Sequence, residues 1–228
     1  MNNILNEIKI NAEEGYGDFT AKLIPTLPRE KILGVRAPIA KKIAKAYAKT
    51  EAGNNFLASL PHAYHDENMV HAYMLGYLPL SYTEMKAQIV NFLPYVDNWA
   101  VCDSLCAAIK RFFCDRDLAL DFLATCLKSG EIYTVRFGLV CLLDYYIDKK
   151  YIAALVSLVG TVKSEEYYVN MALAWLVSIM LIKEYEKTLP LILGGTLDAW
   201  VHNKAISKFC ESHQPSSEEK SYLKSLRR

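Results

Sequence analysis

Asp97-Asn98-Trp99-Ala100-Val101-Cys102-Asp103-Ser104-Leu105-Cys106 reads as the opening of an α-helix. Pro94 closes the segment before it, and Asp97 is a good N-cap residue, so the sequence predicts a helix from Asn98 to about Phe112. Val101, Leu105, Ala108, Ile109 and Phe112 then recur at the spacing of a buried stripe. Trp99 and Asp103, one turn apart, share a different side, nearly opposite Val101. A helix does not need an indole stacked beside a carboxylate, off its core face, to be stable. The pair is therefore the first candidate for chemistry.

Outward from this stretch almost every segment keeps a helical period. Asn2 to Ile10 is a short amphipathic helix, followed by a break at Gly15-Tyr16-Gly17 and a second helix from Asp18 to Leu27. Pro38, after Gly34-Val35-Arg36-Ala37, suits the first turn of a helix reaching Lys49, with a spine of Ile39, Ile43, Ala46 and Tyr47. Further helices are expected near 52–60, 66–77, 81–93, 116–129, 131–147, 150–162, 165–183, 186–193, 197–212 and 216–226, punctuated by prolines and glycines. Trp99 and Arg136 stand 37 residues apart, and Arg136 and Trp175 stand 39 apart. Two helices per unit at that period indicate HEAT-type repeats and an all-α fold, in one domain spanning 1–228.

Composition narrows the function classes. The 228 residues are 52% hydrophobic and 22% charged, with a net charge of +1, as in ordinary globular chains. Met1 to Ile10 has charges and no apolar core, so no signal peptide is expected. The longest apolar run, Met171 to Ile182, is too short to span a bilayer and is interrupted by Ser178, so no membrane partner is expected. The six cysteines (102, 106, 114, 126, 141, 210) contain no CxxC pair and read as reduced core residues of a cytoplasmic protein. His62, His65, His71 and Glu67 have suggestive spacings but no further ligand cluster nearby, so no metal is expected. P-loop, GxGxxG, GxSxG and HExxH motifs are absent. Tyr145-Tyr146 and Tyr167-Tyr168 read as helix-packing residues.

Charge is unevenly spread. Residues 1–50 hold 9 Lys/Arg against 5 Asp/Glu, and 201–228 hold 6 against 3, whereas 51–100 hold 1 against 5. Basic ends around an acidic middle favour a polyanion held at its flanks.

Two helices carry residues that sit awkwardly in a core. Val135 to Leu143 is apolar on nearly every face except for Arg136. A buried guanidinium needs a carboxylate, a route to solvent or a ligand anion, and the sequence leaves all three open. Trp175, inside Met171 to Met180, is either a core residue or a π-face at the lip of a groove.

Together, the Gly34-Val35-Arg36-Ala37-Pro38 turn, the Val-Asp-Asn-Trp-x-x-x-Asp helix start with Trp99 and Asp103, Arg136 and Trp175 resemble the bacterial DNA alkylation repair proteins. These are HEAT-like-repeat alkylpurine DNA glycosylases of the AlkD type. The likeness runs from about Gly15 to Lys208. It implies a right-handed, C-shaped α-α superhelix whose concave, positive face holds duplex DNA. It further implies excision of N3- and N7-alkylated purines by a monofunctional hydrolase, without metal or cofactor, acting as a monomer. Asp103 would be the catalytic carboxylate, and Trp99 and Trp175 the indoles flanking the lesion. Arg136 would be the groove arginine, and Arg36 would face DNA where the best-known members carry glutamine.

The chemistry suits these residue types. An N3- or N7-alkylated purine is already a cationic leaving group and needs no general acid. What remains is to stabilise a sugar with oxocarbenium character and to place a water, and one carboxylate can do both. Each indole face would add roughly 0.5–2 kcal/mol against a cation. Arginines on flanking phosphates would position DNA without reading its sequence. Two other readings fit less of the pattern: a non-catalytic DNA-binding repeat protein and a protein-interaction scaffold.

Overall fold

The computed structural model describes residues 3–228, which contain fourteen α-helices, three short 3-10 turns and no strand. One compact unit ends at Asp115 and a second begins at Arg116.

The first unit holds α1 (Asn3–Ile10), α2 (Glu14–Leu23), α3 (Ala37–Tyr47), α4 (Glu51–Ala58), α5 (His65–Leu75), α6 (Tyr82–Phe92) and α7 (Trp99–Ala108). Within it α5 packs between α3 and α7. Asn2, which the sequence places in the first helix, lies outside the described residues. The break expected at Gly15-Tyr16-Gly17 does not occur, because α2 starts at Glu14 and runs through both glycines. The Gly17 amide closes the first turn on the Glu13 carbonyl at 2.9 Å. Gly17 serves close packing instead: a Cβ on Gly34 would fall 2.8 Å from the Gly17 Cα.

Gly34 has φ +94°, a conformation that glycine adopts without a Cβ penalty. Its carbonyl accepts from the Glu13 amide at 3.0 Å, joining the loop before α3 to the start of α2. The stripe that α3 buries is Ala40, Ile43, Ala44 and, just beyond the helix, Ala48, so the face is rotated from the expected one. Ala46 is exposed. Small residues inside let α3 lie close to α5.

At the start of α7 the N-cap is Asn98, one residue beyond the expected Asp97. Its side-chain oxygen accepts from the Val101 amide at 3.1 Å. Asn98 is fully buried, and its amide group donates to Asp97 Oδ1 at 2.8 Å and to His65 Nδ1 at 3.2 Å. An amide can accept and donate at once, while a buried charged cap would cost several kcal/mol. The helix also ends earlier than expected. Ile109 leaves the helical region (φ −87°, ψ 29°), and a 3-10 turn over Lys110–Cys114 carries the buried Phe112 and Phe113.

The second unit holds α8 (Arg116–Cys126), α9 (Ile132–Tyr145), α10 (Ile152–Thr161), α11 (Tyr167–Lys183), α12 (Tyr185–Leu193), α13 (Ala199–Glu211) and α14 (Ser217–Ser225). Here α11 packs between α9 and α13, while α8, α12 and α14 pack on α9, α11 and α13 respectively. The three middle helices start at 132, 167 and 199, a repeat of 35 and then 32 residues. Val135 to Leu142 on α9 are all buried, as an interior helix requires. Arg116 fastens the start of the unit: it bonds Asp148 Oδ2 at 2.5 Å and the Tyr145 carbonyl at 3.0 Å, and lies over the Tyr151 ring. Of the cysteines, 102, 106, 126 and 141 are buried, but Cys114 is exposed rather than in the core. No helix among the described residues is long and apolar enough to cross a membrane.

Candidate functional site

Trp99 and Asp103 stand one turn apart on α7, both partly exposed, while Val101, Cys102, Leu105 and Cys106 are buried. The Trp99 ring is held in place, because its Nε1–H donates to the carbonyl of Leu23, the last residue of α2, at 2.9 Å. Beside it lies a cleft of 110 Å³ whose walls include Tyr16, Ala37, His65 and Asp66. Burial lowers the His65 pKa, which fits an imidazole accepting from Asn98. Further along the same face, Ala107 lines a second pocket of 230 Å³ with Lys41, Tyr73 and Tyr77. The Lys41 ammonium sits 5.1 Å from the centre of the Tyr73 ring, and no carboxylate reaches it among the described residues.

Arg36 is the residue just before α3, and it is exposed. Its fork grips Glu13 through both oxygens, Nε to Oε1 at 2.8 Å and Nη2 to Oε2 at 2.9 Å. The guanidinium also covers the Tyr16 ring at 4.8 Å. The hydrogen bond from Arg36 holds the Glu13 carboxyl below its usual pKa.

The loop bearing Arg36 hangs on Asp66, at the start of α5. Its carboxylate accepts from three successive amides: Leu33 at 2.7 Å, Gly34 at 3.1 Å and Val35 at 2.6 Å. Asp66 is only 2% exposed, so the amides replace its water. Beside it, Glu67 accepts from the Ala63 and Tyr64 amides, both at 3.1 Å. The acids near the three histidines are thus spent on backbone. His62 and His71 share a hydrogen bond of 2.9 Å and stack on Phe56 and Phe92. No metal-binding cluster of three or more His, Cys, Asp or Glu occurs among the described residues.

In the second unit Arg136 is 5% exposed, and its Nη1 donates to the Tyr168 carbonyl at 2.9 Å. This contact ties α9 to the first turn of α11. Trp175 is partly exposed rather than sealed in the core. It belongs to a partly exposed stripe on α11 with Tyr168, Met171, Ile179 and Ile182. Trp99, Arg136 and Trp175 are the first, fifth and ninth residues of their helices. Each stands one turn deeper than the last, which is why their separations exceed the helix repeat.

Sequence reading passed over Tyr16, Lys41 and Asp66. Tyr16 was concealed by the expected break around it, and Lys41 by the lysines crowded along α3. Asp66 left a usable signal: an acid in a helix's first turn can serve amides elsewhere, and a Gly-Val-Arg loop offers them.

Residues 6–189 match the DNA alkylation repair enzyme family. The chain belongs to that family. No curated protein matches it. Membership carries a role in DNA alkylation repair, and the matched segment includes Arg36, Trp99, Asp103, Arg136 and Trp175. It stops before α13 and α14.

Proposed function

We propose that this family member is a monofunctional glycosylase that hydrolyses the N-glycosidic bond of N3- or N7-alkylated purines in duplex DNA. The observation that carries the reading is Trp99 with Asp103, one turn apart on the solvent side of α7, within a chain of the DNA alkylation repair family. Asp103 attracts the cationic character that develops on the sugar and orients the attacking water, whose proton it takes up. Trp99 and Trp175 present electron-rich faces to the cationic base and sugar. Arg136 and Arg36 bind flanking phosphates, and Lys41 adds a further unpaired cation on α3. The bond breaks between C1′ and the purine nitrogen, and the neutral alkylpurine leaves with the bonding pair.

The cleft beside Trp99 supports recognition by charge. At 110 Å³ it is well below the 300–1,000 Å³ of ordinary ligand pockets. A base is therefore contacted rather than engulfed, and selectivity follows the positive charge of the lesion. Asp103→Asn is expected to cut release of methylated purine from treated duplex by orders of magnitude and to leave duplex affinity within a few-fold. Release at the wild-type rate would remove Asp103 from the mechanism.

A further inference from the structure

The segment beyond the family match carries a built cationic stripe. On α13, Trp200, Lys204, Lys208 and Glu211 follow at intervals of 4, 4 and 3 residues, one face of a helix. The opposite side buries Val201, Ala205, Ile206 and Phe209. Beside the lysines, Asn203 and Ser207 hold two arginines. Asn203 accepts from the Arg228 amide at 3.0 Å and donates to its main-chain oxygen at 2.5 Å, and Arg227 Nη2 donates to Ser207 Oγ at 2.9 Å. The buried His202 fixes the same strand of chain through the Leu226 carbonyl at 2.8 Å.

The partners chosen are informative. Arg29, Arg36 and Arg116 each meet a carboxylate. Arg227 and Arg228 instead donate to a hydroxyl and a carbonyl, so no side-chain carboxylate neutralises them. No aspartate or glutamate side chain lies within ion-pair distance of Lys204, Lys208, Arg227 or Arg228 among the described residues. The nearest acid at the helix start, Asp198, is engaged by Lys163 at 3.4 Å. Cations held close together without a counter-charge repel one another unless an anion joins them.

The stripe is continuous with a residue of the proposed site. The Trp200 ring meets Tyr167 edge-on at 5.9 Å, Tyr167 meets Tyr168 at 5.2 Å, and the Tyr168 carbonyl receives Arg136. Trp200 and Tyr167 are 44% and 56% exposed. Aromatic rings interleaved with unpaired cations along one face are a surface suited to a nucleic-acid backbone.

We propose that α13, with Arg227 and Arg228, is a second phosphate-binding track, taking the backbone of duplex DNA outside the segment that defines the family. This rests on the DNA-binding part of the proposed function but not on catalysis. The test is titration of an undamaged duplex, followed by fluorescence anisotropy between 50 and 200 mM salt. Lys204→Gln with Lys208→Gln is expected to weaken binding about tenfold at the low end and to flatten the log–log salt slope by about 0.9 per lost contact. The same charge change at Lys128 and Lys149, exposed in the same unit, is expected to alter affinity less than twofold. Glu211→Lys extends the stripe and is expected to raise affinity, which keeps the test open should the glutamine variant unfold.

Equal affinity of the two double variants, or no gain from Glu211→Lys, overturns the track and leaves the proposed function standing. Loss of bound duplex to an equal concentration of polyglutamate assigns the stripe to acidic peptides instead. A wild-type protein that binds no duplex at any salt overturns both readings. A protein that binds duplex through α13 yet releases no base sinks only the glycosylase.

Discussion

The indole nitrogen of Trp99 donates to the carbonyl of Leu23, 76 residues earlier in the chain. A side chain proposed to contact the lesion is thus also a rivet between α7 and α2. Its N–H is committed within the protein, so only the ring face is offered to a ligand.

Trp99→Phe keeps a ring and removes the rivet. Stability is expected to fall by about 1 kcal/mol, the usual net worth of such a bond, read from urea denaturation. Release of methylated purine should slow a few-fold, because a phenyl face attracts the cation less strongly than the indole it replaces. A variant with wild-type rates would place the ring away from the reacting sugar.

Glu13 occupies Arg36 as a phosphate would, with two oxygens on one fork. Glu13→Gln frees the guanidinium and is expected to tighten duplex binding several-fold at low salt, with little effect on stability because the pair is exposed. Binding curves that superimpose on wild type would mean Arg36 does not meet the backbone.

Asp66→Asn tests the platform under Arg36. One acceptor oxygen cannot serve three amides, and the new NH₂ group faces donors. A loss of about 3 kcal/mol is expected in equilibrium unfolding. A loss below about 1 kcal/mol would show that water replaces the carboxylate.

His62 and His71 set an acid limit. Burial lowers the His62 pKa from 6.5 to about 4 and pushes that of His71 well down. At His62 the unfolded chain therefore binds a proton near pH 6.5 that the folded chain refuses until about pH 4. The His62 contribution is complete above pH 6.5 and is lost as pH falls towards 4, by about 3 kcal/mol, and His71 adds a loss in the same direction. Melts at pH 7 and pH 5 should show the drop, and it should shrink in His62→Phe, which keeps the stack on Phe56.

The helical character was legible because one-sided helices print their period in the sequence, and α9 was legible as an interior helix because it is apolar on nearly every face. The pairing of Trp99 with Asp103 on one side of α7 was equally legible, because four-residue spacing is a local property. What local spacing cannot carry is partnership across distance. Asp66 serves amides 31 to 33 residues away, and Trp99 reaches 76 residues back. The cap of α7 was displaced by one residue for a related reason: burial favours an amide over a carboxylate, and burial is a tertiary fact. Gly15 and Gly17 misled because a glycine that permits close approach looks the same in a sequence as one that ends a helix.

The triple grip of Asp66 also bears on how fast the molecule can work. A loop whose three amides are already satisfied does not have to be ordered during an encounter, so Arg36 is carried on a surface whose shape exists beforehand. Association with a polyanion should then be governed by collision, orientation and ionic strength, without the lag that a disordered basic arm would impose.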